Sequence, residues 1–258
     1  EFFLKMKERK IILIIQARTD SKRFPKKVLA KINGKPLLWW VVTRLKKVNC
    51  DEIIVSTTKR NIDKPIIEIS KQCNVKYFKG KKYDVLDRYY KTAKKFQGDV
   101  IVRITADCPV IDYKIINTII KKFLTQKYDY IATDDYSFPK GVDVECFSIN
   151  SLEKAWKNAR LKSEREHVTP FIWKNGKKFK ILKIKNIENL DKKIRLVVDH
   201  KEDLPIIKFI FSKLLPIKSN FTLNDVILLY KKYPKKFEKN MKFASNEGYE
   251  ISLKKDKK

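Results

Sequence analysis

The stretch IILIIQARTDSKRFPKKVLAKINGKPLLWWVVTRL, residues 11–45, decides how the fold is read. It opens with Ile11–Gln16, an apolar, β-branched run of the kind that forms a strand buried on both faces. Residues 16–27 follow and hold five cationic side chains and two hydroxyls. Gly34-Lys35-Pro36 then leads into residues 36–47, where Leu37, Leu38, Val41, Val42 and Leu45 recur at helical spacing. A strand, a loop and a helix in that order begin an α/β chain.

Moving outward, the alternation continues. Residues 52–56 predict a second strand, and Asp63 heads a helix bearing Ile66, Ile67 and Ile69. Residues 75–78 form a short strand, and 84–96 a helix with Val85, Tyr89, Ala93 and Phe96 on one side. A strand at 99–105 leads to a helix capped by Asp112 that carries Ile115, Ile116, Ile119, Ile120 and Phe123, then to a strand at 128–133. This order predicts a mostly parallel central sheet covered by helices on both faces. Ligands in such sheets bind beyond the carboxyl ends of the strands, so the residues after Ile15, Val55, Ile104 and Ile131 are the places to search. Past residue 140 the pattern changes to a smaller α+β portion. Strands are expected at 142–149, 180–185 and 194–198, and helices at 151–159, 163–174, 201–215 and 223–232. The last residues are polar and Lys-rich, and are expected to be loose.

Length and composition fit this reading. With 258 residues, 43% of them hydrophobic, the chain suits one large domain, or a main domain with a small appendage. No apolar run approaches the ~20 residues of a membrane span. The N-terminal apolar patch of Phe2, Phe3 and Leu4 lacks a small-residue cleavage site, so no signal peptide is expected, and Met6 suits a natural start. Cys50, Cys73, Cys108 and Cys146 show no CxxC spacing, and His167 and His200 are the only histidines. Neither a zinc site nor a disulfide framework is expected, and a reducing cytoplasm fits.

Sixty Lys and Arg face thirty Asp and Glu, giving a net charge of +30, with only ten of the basic residues Arg. The lysines are spread along the whole chain. Two accounts stand: an AT-rich genome filling exposed positions with Lys, or attraction of polyanions such as nucleic acid or a nucleoside triphosphate. A nucleic-acid module calls for clustered cations with stacking aromatics or a known motif, and the chain has neither.

Three segments carry candidate chemistry. The basic loop 16–27 contains no glycine, and the six glycines of the chain form neither a Walker loop nor a dinucleotide fingerprint. If the loop holds phosphates it does so with side chains, among them Arg18, Ser21, Arg23 and Lys27; the bland alternative is a solvated basic turn. In Val102-Arg103-Ile104-Thr105-Ala106-Asp107-Cys108-Pro109, an apolar strand ends in a carboxylate that is either suited to a hard cation or only a turn aspartate bonding its local backbone. In residues 195–204 another strand ends at Asp199, which is either a second ligand or only a helix cap, Glu202 completing a capping box. Two such carboxylates meeting in space, with a triphosphate, would make a Mg²⁺ site.

The run Ile14-Ile15-Gln16-Ala17-Arg18 with Ser21, Arg23, Pro25 and Lys27, followed by Gly34-Lys35-Pro36-Leu37, resembles the opening of the CMP-sugar cytidylyltransferases. Within them it is similar to the SpsF-like, spore-coat-polysaccharide branch. Asp84-Val85-Leu86-Asp87-Arg88-Tyr89, residues 103–109, Gly141-Val142-Asp143-Val144-Glu145, Arg165-Glu166-His167-Val168-Thr169-Pro170 and residues 195–204 continue the resemblance in order. It implies a GT-A-type nucleotide-binding fold and a Mg²⁺-dependent cytoplasmic enzyme. That enzyme passes CMP from CTP to an acidic sugar or phosphorylated acceptor and releases pyrophosphate, for cell-surface polysaccharide synthesis. It also implies that Arg18 and Lys27 meet phosphate, that Asp107 and Asp199 hold metal, that Ala17 and Arg103 enclose the base, and that the enzyme pairs as a homodimer. One domain over residues 6–238 follows, with a nucleotide-binding half at 10–135, an acceptor or oligomerisation portion at 136–220, and a tail at 239–258. The sequence departs from the family where Lys26 replaces a glycine common between Pro25 and Lys27, where Ala30-Lys31 precedes Ile32, and where His200 replaces a common Thr.

Two segments bear on the acceptor. Asp143 and Glu145 stand two apart on an expected strand, hence on one face. Arg165, Glu166 and His167 share a helix turn and offer Arg165 or His167 to substrate, although Ser163 and Glu166 also read as a capping box. No Ser or Cys nucleophile has an adjacent base, and no general base is identified. A GT-A glycosyltransferase using a nucleotide-sugar is the rival reading; the dense basic loop favours a triphosphate.

Overall fold

The computed structural model describes residues 9–257. Phe2, Phe3, Leu4 and Met6 lie outside the described residues. The strands are β1 (Ile11–Gln16), β2 (Lys31–Ile32), β3 (Lys35–Pro36), β4 (Glu52–Thr58), β5 (Lys76–Gly80), β6 (Val100–Thr105), β7 (Tyr130–Thr133), β8 (Glu145–Ser148) and β9 (Ile181–Ile184). The first half carries helices α1 (Leu37–Leu45), α2 (Lys64–Gln72), α3 (Val85–Lys95) and α4 (Tyr113–Thr125). The second carries α5 (Ile149–Asn158), α6 (Lys162–His167), α7 (Pro170–Trp173), α8 (Asp203–Leu214), α9 (Leu223–Lys232), α10 (Pro234–Phe237) and α11 (Glu247–Asp256).

Seven strands form the central sheet in the order β5-β4-β1-β6-β8-β7-β9, and β2-β3 is a separate ribbon. All neighbours in the sheet pair in parallel except β8, which runs antiparallel to β6 and β7. The mostly parallel α/β sheet read from the sequence is present. Its central strands β1 and β6 are apolar apart from Gln16, Arg103 and Thr105 towards their carboxyl ends, because both faces are covered. Leu13, Ile15, Val102 and Ile104 join the core with α1, α4 and α8, while Ile12, Ile14 and Ile101 face α3 and α5. Each such side chain, withdrawn from water, contributes roughly 1.5–3 kcal/mol.

The structure corrects several expected boundaries in the second half. Residues 194–198 are extended but join the chain through a single parallel bridge, Lys140 to Arg195, rather than as a sheet strand. All five residues are buried, with Ile194, Leu196 and Val198 fully so, which explains why the run reads as a strand. Their backbone partners, however, are loop carbonyls: Leu196 N donates to Lys140 O (2.6 Å) and Val198 N to Asp107 O (2.9 Å). The strand expected at 142–149 is confined to 145–148 because Asp143 turns back to accept from Gly141 N (2.8 Å). The helix expected at 163–174 is two short helices, broken at Val168 with φ 75° just before Pro170. The tail expected to be loose contains α11, which packs on α6 and is tied to it by Ser163 N donating to Asp256 Oδ1 (3.0 Å).

Candidate active site

Gln16 at the end of β1 is in register with Thr105 of β6 and Ser56 of β4, so the loops that follow these strands start side by side. The basic loop is held from below by Asp63. This fully buried carboxylate accepts from Thr19 N (2.8 Å) and Thr19 Oγ1 (2.7 Å). The sequence assigns Asp63 to a helix start, but its side chain makes no cap bond there and anchors the loop instead. Asp20 ties the outer side through Arg60 and Lys82, both at 2.7 Å. Burial opposes its charge, but those two partners outweigh it and hold its carboxyl down to about 2. Lys26 takes the left-handed conformation, φ 58°, and donates its N–H to Thr19 O at 2.7 Å. This is the position where the resemblance places a glycine, and the backbone keeps the geometry a glycine serves.

Lys27 then turns inward. Its Nζ lies 2.6 Å from Asp107 Oδ2 and 2.7 Å from Asp199 Oδ1. Burial alone would lower the pKa of this ammonium, and the two carboxylates more than reverse that, so it is raised. Asp199 also meets Arg23 at 2.8 Å. Burial works against its charge, yet Lys27 and Arg23 hold its carboxyl at about 2.

Two features aim Asp199 at this point. Asp203, fully buried, accepts from the N–H groups of both Asp199 and His200 (2.8 Å each) and pairs with Arg195 (2.9 Å). The capping box expected from Asp199 and Glu202 is therefore absent. Asp203 does the tethering, and the Asp199 side chain is left for the cleft. The second feature is Gly141, at φ 102°, against which the backbone of Leu196 and Val197 passes so closely that a Cβ would collide with it.

Two adjoining cavities meet at this cluster. The first, about 280 Å³, is bordered by Ala17, Arg18, Ser21, Arg23, Lys27, Asp107 and Asp199, and by Val85 and Arg88 of α3. The second, about 510 Å³, is bordered by Arg103, Asp143, Glu145, Asp135 and Thr169. Gln16, Arg23, Thr105, Asp107, His167 and Asp199 border both. Arg103 thus belongs with the second cavity rather than with Ala17. In the antiparallel register it faces Glu145, with which its guanidinium forms an ion pair; Tyr130 and Thr169 also donate to that carboxylate. His167 stands at the junction, bonded through Nε2 to Ser252 Oγ of α11 (3.1 Å). Burial first, and Arg103 next, push its pKa down to about 4.

Arg165 is not part of the cleft. It donates from Nε and NH2 to the two oxygens of Asp84 (3.0 and 2.6 Å), tying α6 to the start of α3. The Ser163–Glu166 capping box is also replaced: Glu164 accepts from Leu161 N (3.2 Å), and Glu166 faces Arg18 at 3.7 Å. Sequence reasoning missed α11. Gly248, Ile251, Ser252 and Lys255 border the first cavity, and Glu247 joins Arg23 (3.4 Å) to His200 (3.0 Å).

The arrangement sets cations able to neutralise a polyphosphate beside one cavity, a second cavity next to it, and paired carboxylates between them. Among the described residues no three His, Cys, Asp or Glu side chains converge as a metal cage. Nor is any helix long and apolar enough to cross a membrane.

The family model described as Cytidylyltransferase matches residues 12–249. An uncharacterised protein of Methanocaldococcus jannaschii is 41% identical over 219 residues, 84% of this chain and 86% of its own. The spore coat polysaccharide biosynthesis protein SpsF of Bacillus subtilis is 28% identical over 210 residues, 79% of this chain and 87% of its own. The solved structure of a cytidylyltransferase from Leptospira borgpetersenii superposes with a TM-score of 0.86 at 34% identity, covering 92% of this chain and all of that one.

Proposed function

The chain belongs to the cytidylyltransferase family, whose members take a cytidylyl group from CTP, and from that premise we propose that it passes CMP to an acidic sugar or a phosphorylated small molecule and releases pyrophosphate. The observation that carries the reading is Lys27 between Asp107 and Asp199, at the point where the two cavities meet. Direct displacement needs such a junction, because acceptor oxygen and leaving group lie on opposite sides of the α-phosphorus. CTP occupies the first cavity, its phosphates neutralised by Arg18, Arg23 and Lys27 and met by the Ser21 hydroxyl. Ala17 forms part of the base enclosure. The acceptor enters the second cavity, where Asp143, Glu145 and His167 orient it, with Arg103 acting from the Glu145 side. An acceptor hydroxyl or phosphate oxygen attacks the α-phosphorus, and the bond to the β-phosphate bridging oxygen breaks. No covalent enzyme intermediate forms, so catalysis rests on positioning and on charge neutralisation.

Asp107 and Asp199 would hold Mg²⁺ once phosphate draws Lys27 Nζ from between them, since they supply two converging carboxylates of the oxygen chemistry that cation prefers, with phosphates and waters as the remaining ligands. When bound, the ion would neutralise phosphate charge and polarise the α-phosphoryl group. The Bacillus subtilis relative, a spore coat polysaccharide biosynthesis protein, supports a polysaccharide precursor as the acceptor and a role in surface-glycan synthesis. The four free cysteines suit a cytoplasmic setting, and a homodimer belongs to the same proposal. The test is pyrophosphate release from each of the four nucleoside triphosphates, with Mg²⁺, against a panel of sugar acids and sugar phosphates. Release with CTP and a sugar acid or phosphorylated acceptor is expected. Turnover with a nucleotide-sugar donor and no pyrophosphate would replace this reading with glycosyl transfer.

A further inference from the structure

Helix α11 borders the first cavity without the apolar face that ordinarily seats a helix. Gly248, Ile251, Ser252 and Lys255 line that cavity, and their spacing puts them on one side of the helix. Ser252 is the one buried residue of the ten, and Ile251 is 45% exposed. Tyr249 leans edge-on against His167 (5.2 Å) and Trp173 (5.7 Å). Polar contacts supply the rest of the seat. Ser252 Oγ donates to Glu166 Oε2 (2.9 Å) and bonds His167 Nε2 (3.1 Å), and Asp256 Oδ1 accepts from Ser163 N (3.0 Å). At the other end Glu247 meets Arg23 (3.4 Å) and His200 (3.0 Å). The seat is incompletely satisfied: Ser163 Oγ, Tyr249 Oη, Asp256 Oδ2 and Arg23 Nε are each buried with no hydrogen-bond partner among the described residues. Burying such a half-satisfied polar contact is costly, so the helix is held weakly.

A hinge precedes it. Phe243 lies flat on His200, with ring centroids 3.8 Å apart, and fixes the chain there. Ala244 and Ser245 are exposed, and Asn246 enters the helix at φ 60°, a left-handed conformation that Asn tolerates. The contact at Glu247 uses a group that a triphosphate also needs. Arg23 borders both cavities and is one of the loop cations assigned above to phosphate. A phosphate reaching this guanidinium takes donors that Glu247 now uses, and its charge repels that carboxylate. A ligand moves a two-state element only by its difference in affinity for the two states, and this exchange of partners supplies such a difference. We propose that α11 is a lid, latched at Glu247 and Ser252, that shuts the first cavity in the free protein and lifts when a triphosphate takes Arg23 from Glu247. The inference rests on reading that cavity as the triphosphate site.

The test is hydrogen–deuterium exchange across α11 in the full chain, alone and with CTP or inorganic tripolyphosphate. Dissociation constants for both probes are measured beside it in the parent, Glu247→Gln and Ser252→Ala. Exchange of the α11 amides should rise when either probe binds, whereas a helix that merely lined the site would be protected. Glu247→Gln should bind both probes roughly 5-fold more tightly, the upper scale of one partly exposed ion pair. Ser252→Ala changes no charge and releases the other latch, so it should tighten binding too. Tightening confined to Glu247→Gln would mean that this carboxylate acts only through its field, and would overturn the lid. Unchanged or slower exchange of α11 with ligand overturns it as well, and that measurement needs no variant. Tripolyphosphate that lifts α11 in a protein indifferent to CTP would leave the lid in place and overturn the cytidylyl reading instead.

Discussion

Lys27 Nζ lies 2.7 Å from Asp199 Oδ1, although 172 positions of chain separate them. With Asp107 on its other side, the ammonium stands between two carboxylates that would otherwise repel each other. Lys27→Met keeps the bulk and removes the cation. We expect CTP turnover to fall by on the order of 10²-fold or more, the scale of a lost preorganised electrostatic contact. We also expect the melting temperature to drop at neutral pH and to recover toward about pH 4, as one of the two stranded carboxylates takes a proton. A stability loss that does not change with pH would mean the carboxylates do not depend on Lys27.

Asp107→Asn and Asp199→Asn probe the same cluster from the other side. Each leaves Lys27 one carboxylate partner, so each should destabilise modestly rather than relieve a repulsion, on the order of 1–3 kcal/mol. Activity should fall by about 10²-fold or more in each. The double variant should lose less than the product of the two, because both serve one site. Additive losses in kcat/KM would separate them into two independent roles.

Lys26 holds φ 58°, where a side chain costs about 1–2 kcal/mol relative to the right-handed region. Lys26→Gly removes that strain and gives back part of it as unfolded-state entropy. The expected net gain is about 1 kcal/mol or less, seen as a raised midpoint in urea with an unchanged slope. A loss of stability would show that the Lys26 side chain contributes more than its backbone costs.

The loop and the strand ends were legible because their signals are local. The Ile11–Gln16 run, the cation-dense loop and the terminal carboxylates of residues 107 and 199 need no knowledge of partners. What was not legible depends on pairing across the chain. Arg103 alternates with Val102 and Ile104 on β6, but its direction acquires meaning only when the antiparallel register sets it opposite Glu145. Residues 194–198 form a buried, strand-like run that lacks a sheet edge to join, which no periodicity reveals. The α11 helix is held by polar contacts such as Ser252 to Glu166 (2.9 Å), so its composition matches that of a solvated tail.

Arg165 illustrates the same limit and gives a sharp contrast. Its fork on Asp84 fastens α6 to α3 and does not reach either cavity. Both side chains are partly exposed, so the pair is expected to contribute on the order of 1 kcal/mol. Arg165→Ala should lower the melting temperature by a few degrees and leave the KM values for CTP and acceptor within about twofold. A large rise in the acceptor KM without loss of stability would return Arg165 to the substrate site.

His167 sets the acid side of the stability profile. Its pKa, ordinarily near 6.5, is pushed down to about 4 by burial and by Arg103. Between those values the unfolded chain binds a proton that the folded protein refuses. Stability therefore rises with pH across that window and is lost as pH falls from about 6.5 to about 4. Below about 4 both states hold the proton and His167 adds nothing further. The next loss comes from Asp199 and Asp20, whose carboxyls are both held at about 2, so that their contributions disappear between about 4 and about 2. His167→Gln keeps a group able to bond Ser252 and does not titrate. Urea melts of parent and variant at intervals from about pH 7 to about pH 3 should diverge between about 6.5 and 4, with the parent steeper, and run parallel below. Parallel profiles over the whole range would mean that His167 titrates at its ordinary value and that the packing of α11 over it does not exclude the charged ring.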